Sequence, residues 1–145
     1  MKVVLDTNVL VSALMRDGYT RTILLHPDLS LVTPEYALEE VQRHLPGIAD
    51  RMRTSIQQAR LTVELLLEHI ETVPAAEYRE FEARAEELIA AVDPDDVQFA
   101  ALAMATGRPV WTQDKALLNC SGLMTISTPQ LARELGIGGE TSPRF

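Results

Sequence analysis

Four residues near the start, Lys2-Val3-Val4-Leu5, followed at once by Asp6, constrain this chain more than any other feature. Val3, Val4 and Leu5 put apolar side chains on both faces of an extended segment, as a strand inside a parallel sheet requires. Such a strand points to an α/β protein with a parallel sheet. Asp6 also cuts the apolar stretch short, so the start does not read as a secretory signal, and the cytoplasm is the expected compartment.

Further strands are expected at Leu29–Thr33, Pro109–Thr112 and Leu123–Ile126. Helical patterns fill the intervals: Val9–Met15, ended by Gly18, then Thr20–His26 and Glu35–Leu45. Pro34 is expected at N1 of the third helix with Thr33 as its N-cap. Pro46-Gly47 reads as an interruption, followed by helices over Ile48–Glu71 and Glu77–Ala91. Asp93-Pro94-Asp95-Asp96 opens another helix to about Ala105, closed by Gly107, and Thr128 is expected to cap a last one over Pro129–Leu135. The stretch from Pro34 to Val92 shows no clear strand and reads as a helical block inserted between the second and third strands. Residues 1–135 form one expected domain, and 136–145 a loose, glycine-rich tail.

Thirteen Lys and Arg against 21 Asp and Glu leave a formal charge of −8. That argues against a broad basic surface for nucleic acid but not against a compact acidic site filled by divalent cations. Cys120 is the one cysteine, so neither an intramolecular disulfide nor a cysteine zinc cage can form. No apolar run is long enough to cross a membrane.

Two expected strands run straight into an aspartate, Leu5 into Asp6 and Thr112-Gln113 into Asp114. Parallel strands would put both carboxylates at the same sheet edge, where ligands of open α/β sheets bind. Asp96 lies in the first turn of a helix whose Ala100 and Ala103 permit close packing on the sheet. Glu40 flanks the apolar face of its helix, while Glu39 points further away. Each acid also has an ordinary explanation: Asp6, Asp93 and Asp114 as helix caps, Asp96 as the acid of a capping box, Glu40 as a solvated charge. Together they form the oxygen-only donor set that suits Mg²⁺ or Mn²⁺. Clustered carboxylates raise one another's proton affinity until a cation neutralises them, and such a cation can activate water toward a phosphodiester.

Other features are less pointed. His26, His44 and His69 lack metal-ligand spacing, and Glu40 with His44 at i, i+4 reads as a surface pair. Trp111 reads as core, and Leu65-Leu66-Leu67 as core or an oligomer face. Arg51, Arg53 and Arg60 form a mild basic stretch on one expected helix, a solvated face or a contact for RNA or a partner. No Walker-type phosphate loop is present.

Four segments carry a family resemblance: Val3-Val4-Leu5-Asp6-Thr7-Asn8-Val9-Leu10, Leu38-Glu39-Glu40-Val41, Asp95-Asp96-Val97-Gln98-Phe99-Ala100-Ala101-Leu102-Ala103 and Val110-Trp111-Thr112-Gln113-Asp114-Lys115-Ala116-Leu117-Leu118. In this order and spacing they resemble PIN-domain nucleases, including the VapC-type toxins of toxin–antitoxin modules, from Val3 to about Thr128. The resemblance implies a three-layer α/β/α sandwich and a magnesium- or manganese-dependent endoribonuclease. Its four acids fall on Asp6, Glu40, Asp96 and Asp114. Thr112 matches a hydroxyl two residues before the last acid, and Asn8 a polar residue near the first. Glu39 competes with Glu40, and Asp93 or Asp95 could add a carboxylate. A homodimer and a small antitoxin partner are implied as well.

A PIN-like module that binds RNA or protein without cutting is the alternative function. An aspartate-based phosphatase or phospho-receiver fits poorly, because Asn8 stands where a phosphatase of the haloacid-dehalogenase type would place a second Asp.

Overall fold

The computed structural model describes residues 1–15 and 18–137. Five strands, β1 (Lys2–Leu5), β2 (Ser30–Pro34), β3 (Ile70–Val73), β4 (Val110–Trp111) and β5 (Thr125–Ile126), form one sheet in the order β3-β2-β1-β4-β5. All pairings are parallel, with Val3 opposite Leu31 and Leu5 opposite Trp111. The helices are α1 (Thr7–Leu14), α2 (Gly18–Leu24), α3 (Tyr36–Met52), α4 (Ile56–Leu67), α5 (Glu82–Ile89), α6 (Val97–Thr106), α7 (Lys115–Leu118) and α8 (Thr128–Glu134).

Alternation along the strands divides the interior into two cores, one on each face of the sheet. Val3, Leu5, Leu31, Ile70, Trp111 and Ile126 pack with residues of α1 to α4 and α8. Val4, Val32, Val73 and Val110 pack with α5, α6 and α7 on the other face. This is the three-layer α/β/α sandwich. Buried Ala100, Ala101 and Ala103 let α6 lie close against the sheet. Strand order reverses beside β1, whose neighbours are β2 on one side and β4 on the other, so a crevice opens where β1 and β4 end.

Several local expectations differ from the structure. The stretch from Pro34 to Val92 does contain a strand: β3 pairs with β2, with Thr72 opposite Thr33. It is an edge strand with Glu71 exposed, so it lacks the two-faced apolar run that marks a buried parallel strand. Pro46-Gly47 does not interrupt α3, which runs through to Met52. Both residues are exposed, and buried Val41, Leu45, Ile48 and Ala49 anchor the helix on either side of them. The break falls at Arg53, in left-handed conformation with φ 56°, where Thr54 N–H closes onto the Ala49 carbonyl at 3.0 Å. Arg51, Arg53 and Arg60 therefore do not share a helix: Arg51 is on α3, Arg53 caps it and Arg60 is on α4.

Pro34 ends β2 rather than starting α3, whose N-cap is Glu35 instead of Thr33. Residues 75–81 form two 3₁₀ turns before α5, in place of the first turns of a longer helix. Ser127, not Thr128, caps α8, in a reciprocal capping box with Gln130. At the C-terminal end, Gly136 takes φ 77° and Ile137 N–H bonds the Ala132 carbonyl at 2.9 Å. The rest of the expected tail, 138–145, lies outside the described residues. Among the described residues no helix is long and apolar enough to cross a membrane.

Arg53 occupies a backbone conformation that glycine adopts without cost. Arg53→Gly is expected to stabilise the fold by about 1 kcal/mol, since relief of the left-handed strain outweighs the added chain entropy. A urea-denaturation midpoint no higher than that of the parent would contradict this.

Candidate active site

Asp6 and Asp114 follow β1 and β4, and Asp93 and Asp96 stand just before and at the start of α6. Asp6 follows β1 directly and is 3% exposed. Its Oδ1 accepts from Asn8 N–H at 3.3 Å, capping α1, and its Oδ2 accepts from the Thr112 hydroxyl at 2.8 Å. Thr112 Oγ1 in turn accepts from Asp114 N–H at 3.1 Å, so one buried hydroxyl ties the last segment of the site to the first. Asp114 caps α7 by accepting from Ala116 N–H at 2.9 Å. Asp93 caps the 3₁₀ turn Pro94–Asp96 by accepting from Asp95 N–H at 3.0 Å. Asp96 stands at the start of α6, and its side chain makes no capping bond.

Oxygen atoms of Asp93, Asp96 and Asp114 lie within 4.8 Å of one another. Asp6 stands beside this triple, close enough to push the Asp96 carboxyl up more than any other charge does. Glu40 reaches the site from α3: its Oε1 accepts from the Thr7 hydroxyl at 2.7 Å, bridging α1 and α3. Of the two adjacent glutamates, Glu40 is the one that meets Thr7 and senses Asp6, whereas Glu39 is exposed and acts on Tyr78. Asp95 is exposed; it too raises Glu40.

Two contributors do not stand out in the sequence. Thr7, rather than its neighbour Asn8, presents a side chain to the site glutamate; Asn8 is exposed and gives its backbone N–H to Asp6. The available signal is the spacing of Thr7, Leu10 and Leu14, which form one buried stripe on α1. Thr33 Oγ1 donates to the Leu5 carbonyl at 2.9 Å, fixing the end of β1 just before Asp6. Gln113 bridges outward, donating to Thr128 Oγ1 at 3.1 Å, the same oxygen that accepts from Trp111 Nε1 at 3.0 Å.

The electrostatics are those of crowded like charges. Burial first, and then Asp6, Asp93, Asp114 and Glu40, push Asp96 up to about 8. Burial raises Asp6, against the lowering effect of its bonds from Thr112 and Asn8. Burial also raises Glu40, against its bond from Thr7. The charges that act most strongly on Asp96 are all carboxylates, and an all-oxygen set of this kind could hold a hard divalent ion.

The family model of the PIN domain matches residues 4–136. The chain belongs to the PIN-domain family. A solved structure of VapBC2 from Rickettsia felis, bound to a DNA fragment from their promoter, contains a chain with the same fold. The two superpose with a TM-score of 0.67 over 88% of this chain and 98% of that one, at 16% identity. No curated protein matches in sequence.

Within this PIN domain the raised Asp96 makes stability depend on pH. Its folded value of about 8 lies above the ordinary aspartate value of 3.8, so between these pH values the native state holds a proton that the unfolded state has lost. Stability from this group is present below about pH 4 and is lost as pH rises toward 8. Asp96→Asn is expected to gain stability relative to the parent across that window in metal-free buffer, and thermal melts at pH 4, 6 and 8 measure it. A difference independent of pH would remove Asp96 as the strained group. Thr112→Val leaves Asp6 Oδ2 without its buried donor and is expected to cost about 1–3 kcal/mol in urea denaturation; an unchanged midpoint would show that the bond contributes nothing net.

Proposed function

We propose that this PIN domain is a divalent-metal-dependent endoribonuclease and the toxin of a toxin–antitoxin module. The observation that carries this reading is the cluster of Asp93, Asp96 and Asp114 with Asp6 and Glu40 near enough to act on Asp96, which burial and then these carboxylates push up to about 8. Such a site is electrostatically unfavourable by itself and favourable around a hard cation.

In this reading Asp6, Asp96 and Asp114 hold the metal with help from Asp93, and Glu40 holds metal or accepts a proton. Bound Mg²⁺ or Mn²⁺ would supply Lewis acidity to the oxygens of a phosphodiester. The chain's own residues do the rest. Thr112 fixes the Asp6 carboxylate and the Asp114 backbone together, so the two ends of the site keep their spacing. Thr7 holds Glu40 at the mouth, where its raised proton affinity suits it to take a proton from an attacking water. Hydrolysis of RNA by this route requires no His, Cys or Ser nucleophile.

The VapBC2 likeness supports the antitoxin partner. Exposed Ile56 and Leu61 on α4 support a homodimer face. The cytoplasm, where such an RNA substrate resides, is the proposed compartment.

Asp6→Asn is expected to abolish cleavage of generic single-stranded RNA while leaving the far-UV spectrum unchanged, because Asn can still accept the cap bond from Asn8. Millimolar Mg²⁺ is expected to raise the melting temperature of the parent, by the equivalent of about 2.7 kcal/mol at a hundredfold excess over the dissociation constant. Retained cleavage in the variant, or no thermal shift with Mg²⁺ or Mn²⁺, would refute the assignment.

A further inference from the structure

The carboxylate site leaves one adjoining feature unused, the seam between α1 and α3. The Thr7–Glu40 bond closes this seam at its acidic end. From there Asn8 and Val11 of α1, Met15 just past its end, and His44, Gly47, Ile48 and Arg51 of α3 line a single groove. On α3 the residues Glu40, His44 and Arg51 follow one stripe, at i, i+4 and i+11, which spans about 16 Å at 1.5 Å per residue. Met15 and Arg51 continue the groove into a wider depression with a largely apolar floor, which Arg21, Arg53 and Asp50 also line. Arg21 is held there by donating to the Ala13 and Met15 carbonyls at 2.9 and 3.1 Å.

The sign of charge thus inverts along the groove. It begins beside the Thr7–Glu40 bridge and ends on Arg21, Arg51 and Arg53 with Asp50 as the one acid among them, in a chain whose formal charge is −8. Arg53 adds an independent mark, since it keeps a cation at a left-handed position that glycine would fill without strain.

We propose that the α1–α3 seam is a binding track for single-stranded RNA, with the scissile phosphodiester at the carboxylate end and a neighbouring phosphate on Arg51. The track rests on the ribonuclease reading above. Its chemistry is complementary to a polyanion at the end remote from the metal site, where arginine pairs with phosphate oxygens. Val11, Met15 and Ile48 give an apolar floor for a base, and the exposed side chains of Asn8 and His44 offer polar groups along the rim. The groove abuts the Thr7–Glu40 bridge, so a chain lying in it reaches the acidic end, where bare carboxylates repel an acidic protein segment and a bound cation would draw a phosphodiester.

The test uses a fluorescein-labelled ten-nucleotide single-stranded RNA and fluorescence anisotropy with Mg²⁺ present, in an Asp114→Asn background that stops cleavage. Asn at that position still accepts the capping bond from Ala116, so α7 is retained. Adding Arg51→Glu is expected to weaken binding severalfold and to reduce the slope of log affinity against log salt by about 0.7 for each phosphate left without its cation. Arg51→Lys is expected to keep most of the slope, and Arg84→Glu, an equal charge change on α5, to leave binding unchanged. RNA binding that survives Arg51→Glu would overturn the track and leave the ribonuclease reading standing. Equal losses from Arg51→Glu and Arg84→Glu would also overturn it, as an effect of overall charge. No RNA binding by any form would overturn both readings. If Arg51→Glu abolished binding of an acidic ten-residue peptide while sparing RNA, the groove would be a protein-docking face and not an RNA track.

Discussion

Mutual repulsion among carboxylates at the ends of β1 and β4 is the constraint on which this molecule's organisation turns. The two apolar cores, one on each face of the sheet, hold the strand ends rigidly enough to keep those charges together. Short polar links lock the geometry: Thr33 onto the Leu5 carbonyl, Thr112 between Asp6 and Asp114, and Trp111 onto Thr128. The free energy stored in that crowding is what a cation would release. A site that destabilises the empty fold is common where function opposes stability.

The acids also show that structural and functional readings of one residue need not compete. Asp6, Asp93 and Asp114 are all N-caps in the structure, as helix-start chemistry alone would suggest. A carboxylate carries about four lone-pair positions, so one capping bond leaves acceptor capacity toward the crevice. The caps do more than satisfy backbone donors: they fix the rotation of each carboxylate. Asp96 has no such bond, and burial and the neighbouring carboxylates push it up to about 8. The bond from Thr7 plays the fixing role for Glu40.

Much of this is legible in the chain because the signals are local. Two-faced apolar runs mark β1, and an acid directly after a strand marks Asp6. The edge strand β3 is not legible, since its exposed Glu71 breaks the pattern that a buried strand shows. Pro46-Gly47 reads as a break because local propensity cannot register how firmly Val41, Leu45, Ile48 and Ala49 are buried around it. Thr7 does not stand out beside Asn8, because side-chain direction at a helix start depends on which stripe faces the neighbouring helix.

Fold class, the residue types available for chemistry and the helix starts at which the aspartates sit can be read from the chain alone, because all depend on interactions within a few residues. The hydrogen bond between Asp6 and Thr112, 106 residues apart, exists only once the strands are packed. The same packing brings Glu40 rather than Glu39 to Thr7, and lines one groove with Asn8 and Val11 of α1 and His44, Ile48 and Arg51 of α3. Those outcomes depend on parallel strand order and helix packing, which bring distant positions within a few ångströms, and no spacing along the chain encodes that distance.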